Sequence, residues 1–266
     1  MGESMLRFSA NLGFLWTELP LSERIRAARA AGFEAVEFHF PYDVPAQELN
    51  AALAEGSPFP VVSLNTRRGD PAAGEFGLCA LPGREEEARA AIDEAVEYGR
   101  AIGAASVHVM AGIVRPDQAA PAERSFLQAL DHAANRAEQA GMDVVIEAIN
   151  QRDAPGYFLR DTGHAARIVG ELGRKNVKLL FDCYHAQIAE GDLTRRIEKL
   201  LPIIGHIQIA AAPSRAEPDE GEIAYGRLLR AVDEMGYRGF IGAEYRPRAG
   251  VEAGLKWLDA VRSGGE

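Results

Sequence analysis

Four polar residues recur at one kind of position along the chain: Glu147 closes "VVIE", Asp182 closes "LLFD", Gln208 closes "GHIQ" and Glu244 closes "IGAE". Each follows apolar or small residues that read as a strand, where a carboxylate is expensive unless paired or bound to a cation. The separations are 35, 26 and 36 residues, each close to the ~30 residues of one β/α unit. On successive strands around a common funnel, the four side chains would stand at similar heights and converge. Three carboxylates brought together repel unless a cation or protons compensate. Two glutamates, an aspartate and an amide form an all-oxygen set that suits a hard divalent ion, Mg²⁺ or Mn²⁺, better than zinc. Any one of them alone reads as a solvated strand end or a helix cap. Their recurrence points to a site.

The elements that must position these residues follow a regular alternation. Candidate strands run over "RFSANL" (Arg7–Leu12), "AVEFHF" (Ala35–Phe40), "VVSLNT" (Val61–Thr66), "SVHVMA" (Ser106–Ala111), "VVIEAI" (Val144–Ile149), "VKLLFD" (Val177–Asp182), "GHIQIA" (Gly205–Ala210) and "GFIGAE" (Gly239–Glu244). Between them lie Ala-, Glu- and Arg-rich amphipathic stretches such as "LSERIRAARAAG" and "AERSFLQALDHAANRAEQAG", ending in Gly32 and Gly141, where a left-handed C-cap would sit. Eight such units match a closed (β/α)₈ TIM barrel better than an open doubly wound sheet, which would also call for a glycine-rich dinucleotide loop. No linker or shift in composition interrupts residues 1–266, so the chain reads as one α/β domain. The segment from Asn65 to Glu87 is too long for an ordinary βα loop and belongs, on this reading, to the active face.

Composition narrows the partners. The net charge of −10 argues against a nucleic-acid surface and against an anionic membrane. No apolar run reaches the ~20 residues that span a bilayer, and the mixed-charge start lacks the apolar core of a secretion signal. Two cysteines, Cys79 and Cys183, form no metal-type cluster and suit a reducing, cytoplasmic setting.

The strings "IEAIN" with "RDAPGYFL", "FDCYHAQIAEGDL", "GHIQIA" with "PSRAEPDEGEIAY", and "GYRGFIGAEYRPR" strongly resemble the hydroxypyruvate isomerase family among the xylose isomerase-like TIM barrels. The resemblance spans essentially the whole chain. It implies a divalent-metal site formed by Glu147, Asp182, Gln208 and Glu244, with Glu147 and Glu244 also acting as the catalytic acid/base pair. The implied reaction interconverts hydroxypyruvate and tartronate semialdehyde through an enediolate, with no nucleotide or redox cofactor. A homo-oligomer is an expectation of the same kind. Either glutamate could take the proton, and the sequence does not choose between them.

Around this core, His185 could bind a substrate oxygen or orient Asp182, and Arg215 could clamp the substrate carboxylate rather than pair with Glu217, Asp219 or Glu220. His206 alternates with Gln208 and so shares its face, while His108 and Glu37 also fall on strands; for all three a hydrogen-bonded core role is the commoner one. Arg67, Arg68 and His39 are more charged than the family pattern at those positions and would suit a longer acid. The sister 2-oxo-tetronate isomerases, whose four-carbon acids undergo the same proton transfer, therefore stay in view beside the sugar 3-epimerases. A non-catalytic sugar-acid-binding barrel is the alternative of another class. A DNA-repair endonuclease fits least, because it needs a histidine-rich zinc site and a basic surface, against six scattered histidines here.

Overall fold

The computed structural model describes residues 6–262. Residues 1–5, at the mixed-charge start, and residues 263–266 lie outside the described residues. Eight strands follow one another: β1 (Arg7–Asn11), β2 (Ala35–Phe38), β3 (Val61–Asn65), β4 (Ala104–His108), β5 (Asp143–Glu147), β6 (Val177–Asp182), β7 (Ile204–Ile209) and β8 (Phe240–Ala243). Each pairs in parallel with the next, and β8 pairs with β1, closing the (β/α)₈ barrel. Helices α1 (Leu21–Ala30), α2 (Ala46–Leu53), α3 (Glu85–Ala101), α4 (Ala119–Gln139) and α5 (Thr162–Leu172) return the chain after β1 to β5. Two helices, α6 (Cys183–Ala189) and α7 (Leu193–Leu200), follow β6; α8 (Tyr225–Glu234) follows β7, and α9 (Val251–Gly254) and α10 (Lys256–Arg262) follow β8.

The strands are buried on both faces because helices cover the outside and side chains fill the inside, which is why they read as apolar runs rather than alternations. Helix α3 shows how the covering layer is written: Ala88, Ala91, Ile92, Ala95, Val96 and Gly99 repeat at helical spacing and face the sheet. Its first turn holds Glu85, Glu86 and Glu87 and its last Arg100, each favourable to the helix dipole. Gly32 and Gly141 follow α1 and α4 in the left-handed conformation.

The expected strand starts hold to within two residues, but several strands stop sooner than the apolar runs suggest. Ladder pairing ends at Phe38, His108 and Glu147. Beyond these points single bonds persist, such as Val109 N donating to Val145 O at 3.0 Å and Asn65 N to His39 O at 3.0 Å.

The long connection after β3 is tightly built. Asp70 caps a short 3₁₀ turn, Pro71–Ala73, and Glu75 accepts from Asp70 N and pairs with Arg84 at 2.6 Å. Gly77 and Gly112 meet backbone to backbone: a Cβ at Gly77 would lie 2.7 Å from Gly112 N. Arg68, Pro71, Gly74, Glu75 and Phe76 of this segment line the cavity at the mouth, as its length suggested.

Candidate active site

At the C-terminal mouth a cavity of about 1110 Å³ opens over the strand ends. Asp182 and Gln208 are direct cross-strand partners, Glu147 stands level with Leu180, and Glu244 follows the last residue of β8. All four are buried.

Asp182 has two tasks. Its Oδ1 accepts the backbone N–H groups of Tyr184 at 2.7 Å and His185 at 3.4 Å, capping α6, while Oδ2 has no hydrogen-bond partner. Gln208 is likewise divided: Nε2 donates to Glu37 Oε2 at 2.8 Å, and Oε1 is left without a partner. Glu147 Oε1 is a third buried acceptor without a donor. Acceptors abandoned in this way are costly, and three of them on adjacent strands make a donor set for a hard cation. A buried group of Glu147, Asp182 and His185, with one atom of each within 4.8 Å of the others, could therefore hold a metal.

His185 is shaped for a different task. Its Nδ1 faces Asn150 Nδ2 at 2.7 Å and Asn150 N at 3.4 Å. The amide of Asn150 is oriented by Arg152 N and Asp153 N, which both donate to its Oδ1. Nδ1 must therefore accept, so the proton sits on Nε2, which lies 3.7 Å from Asp182 Oδ2 and 3.9 Å from Glu147 Oε1. Burial, reinforced by the Arg215 charge, pushes the imidazole down to about 3. His185 is thus an N–H donor aimed at Asp182 and Glu147, and it would join them as a metal ligand only by giving up that proton.

The two glutamates are unlike. Burial first, then the charges of Glu244 and Asp182, raise Glu147 well above the ordinary carboxylate range. Burial works the same way on Glu244, but the hydrogen bond from His39 and the Arg215 charge outweigh it and hold this carboxyl well below that range. Glu244 Oε1 accepts from Asn11 Nδ2 at 2.9 Å and pairs with His39 Nε2 at 3.0 Å, while Oε2 accepts from Arg215 Nη2 at 2.7 Å. Asp182 is raised to about 7, chiefly by burial and Glu244.

Arg215 lies at the site, but against Glu244 and, at 3.8 Å, Asp182. Its guanidinium carbon lies 4.9 Å from the centre of the Phe14 ring and 5.0 Å from that of Tyr184, its backbone sits in the left-handed region at φ 57°, and its Nε has no partner. Glu217, Asp219 and Glu220, the alternative partners for Arg215, are all taken by Arg248.

The less favoured candidates divide. His108 lines the cavity, its Nε2 3.8 Å from Glu147 Oε2. His206 and Glu37 pair with each other at 2.9 Å below it. Arg67 turns outward to Glu94 and stacks on Tyr42, leaving Arg68, over Phe40, as the arginine of that pair which faces the cavity. Sequence reasoning missed Asn11 and Asn150. Asn150 carried a signal in "EAIN", three residues after Glu147, whereas Asn11 gains its place only because β1 closes on β8.

The xylose isomerase-like TIM barrel family matches residues 25–261. The chain is 48% identical to a 2-oxo-tetronate isomerase of Cupriavidus necator, over 96% of this chain and 98% of that protein. It is 38% identical to the hydroxypyruvate isomerase of Escherichia coli K12, over 97% of this chain and 100% of that protein. A crystal structure titled AP endonuclease, family 2, from Brucella melitensis superposes with a TM-score of 0.92 at 41% identity, covering 96% of this chain and 98% of that one. With a closed barrel, buried carboxylates at the expected strand ends and full-length relatives of this kind, the chain belongs to the xylose isomerase-like TIM barrel family, in its hydroxypyruvate isomerase and 2-oxo-tetronate isomerase branch.

Proposed function

We propose that the protein isomerises a short 2-oxo acid bearing a hydroxyl on the next carbon, hydroxypyruvate first, giving tartronate semialdehyde. The observation that carries this reading is the pair of buried glutamates in unlike settings, Glu244 held by Asn11, His39 and Arg215 and Glu147 with an oxygen left unpartnered, beside the unpartnered oxygens of Asp182 and Gln208. Environments that push two carboxylates apart in this way assign acid and base roles. Glu147 Oε1, Asp182 Oδ2 and Gln208 Oε1 would hold the divalent ion, Mg²⁺ or Mn²⁺ by their chemistry, and the ion would supply Lewis-acid polarisation of the carbonyl. Glu244 can join them only where Arg215 releases its Oε2.

Arg215 offers its free Nε to the substrate carboxylate. As it moves toward that carboxylate its hold on Glu244 Oε2 loosens, which raises the proton affinity of Glu244 when a base is required. Glu244 then takes the proton from the hydroxyl-bearing carbon, Glu147 gives one to the neighbouring carbon, the hydroxyl proton passes to the former carbonyl oxygen, and exchange with solvent returns both glutamates to their starting states. His185 Nε2–H donates to a substrate oxygen and stays neutral throughout.

Size favours a second substrate. A three-carbon acid leaves much of a cavity of about 1110 Å³ to water, and Arg68, on its Phe40 platform, makes no ion pair among the described residues. A four-carbon 2-oxo-tetronate would reach farther toward that wall. The test is proton and carbon NMR in D₂O with hydroxypyruvate and 2-oxo-tetronate in parallel, with Mn²⁺ or Mg²⁺ and with chelator. Solvent deuterium appearing at the carbon that gains hydrogen, above an enzyme-free control, is the expected result; no exchange with either acid would leave a binding role or a sugar substrate in its place.

A further inference from the structure

The amide of Gln208 has two ends of nearly equal size, so packing alone does not decide which one meets Glu37 and which is left without a partner. Hydrogen bonding does. We infer that Glu37 is a positioning residue that fixes the polarity of this amide, presenting the oxygen and not the nitrogen of Gln208 to the cation site.

Glu37 lies on β2 inside the barrel, fully buried and outside the cavity lining. Its Oε1 accepts from Ser9 Oγ at 2.5 Å and pairs with His206 Nε2 at 2.9 Å. Its Oε2 accepts from Gln208 Nε2 at 2.8 Å and, more weakly, from Asn11 Nδ2 at 3.5 Å. Gln208 Nε2 also approaches Glu244 Oε1 at 3.4 Å, so the amide nitrogen is held between two carboxylates. A flipped amide would set its oxygen against both. The unflipped amide leaves Oε1 buried and without a donor, an arrangement that costs energy unless a cation sits there. Room for Glu37 is made by Gly242 on β8: a Cβ there would stand 2.2 Å from Glu37 Oε1, 2.8 Å from His206 Nε2 and 2.9 Å from Gln208 Cγ. Supporting residues of this kind are worth about 10–100-fold in metal affinity.

The inference rests on the reading that Gln208 helps to hold the cation, and the test separates the two. Mn²⁺ binding to chelator-treated protein is measured by calorimetry for the wild type, Gln208→Leu, Glu37→Gln and the double variant Glu37→Gln/Gln208→Glu, each checked for cooperative melting. Glu37→Gln meets Ser9 Oγ, His206 Nε2 and Gln208 Nε2 with one acceptor oxygen where Glu37 offers two, so the hold on the Gln208 amide loosens and Mn²⁺ binding is expected to weaken about 10–100-fold. The double variant reverses the polarity of the pair, with an amide at position 37 donating to a carboxylate at position 208, and is expected to recover at least tenfold of that loss. Mn²⁺ bound by Glu37→Gln as tightly as by the wild type, while Gln208→Leu binds weakly, overturns the role of Glu37 alone. A double variant no tighter than Glu37→Gln overturns it too. If Glu37→Gln does not fold, the double variant, which conserves net charge and the hydrogen bond between positions 37 and 208, carries the test against the wild type, and a loss as large as that of Gln208→Leu overturns the role. Unaltered binding in Gln208→Leu overturns the ligand reading and the inference with it.

Discussion

At the scale of single residues, Asp182, Gln208 and His185 each have one end committed to the fold and the other left for the site. Glu147→Gln and Glu244→Gln should each lower turnover by about 10²–10⁴-fold with the fold retained, read as initial rates alongside thermal melts; wild-type turnover in the double variant would sink the acid/base assignment. Arg215→Lys keeps the charge but not the planar group beside Phe14 and Tyr184. It should raise KM more than it changes melting temperature. Asp182 gives a pH test with a defined sign. Its carboxyl is raised from 3.8 to about 7, chiefly by burial, so the fold favours its neutral form. Its contribution to stability is fully present below pH 3.8 and is lost as pH rises through about 7. Asp182→Asn stays neutral throughout. In chelator, the melting temperature of the wild type relative to Asp182→Asn should therefore fall between about pH 4 and pH 8, and a difference that stays flat would contradict the assignment.

At the scale of elements, the strand ends supply the precision. Gly242→Ala would push a methyl into Glu37 and should cost about 1–3 kcal/mol by denaturant unfolding. Gly170→Ala on the exposed side of α5, where a Cβ meets nothing within 4 Å, should instead be neutral or stabilise by up to ~1 kcal/mol. Much of this level was legible in the sequence. The apolar runs located all eight strands, and Glu147, Asp182, Gln208 and Glu244 stood out because each breaks such a run at a repeating distance. What pattern reading could not supply was partnership. Nothing near Glu244 in sequence announces Asn11, His39 or Arg215, because their contacts form across a closed ring. Arg67 and Arg68 looked equivalent in "NTRRGD", but adjacent residues point different ways, and only one finds an acid on α3. The tautomer of His185 was hidden for the same reason, since Asn150 sets it from the neighbouring loop.

At the scale of the whole molecule, the wide mouth sets what can enter. If Arg68 recognises the far end of a longer acid, Arg68→Ala should raise KM for 2-oxo-tetronate about tenfold while changing that for hydroxypyruvate less than about threefold; equal effects on the two would remove Arg68 from substrate selection. One contact at this scale reaches into how the protein matures. Asn11 donates to Glu244 across a separation of 233 residues, where β8 zips against β1. During synthesis, β1 to β7 leave the ribosome with Glu147, Asp182 and Gln208 already in order along the chain, but the carboxylate environment of Glu244 exists only after the last strand docks on the first. Catalysis is therefore a late reporter of maturation. A released chain that has acquired its helices, with the final seam still open, would look folded by its helical content and turn over nothing, since Trp257 packs on Phe8 of β1 only once that seam closes.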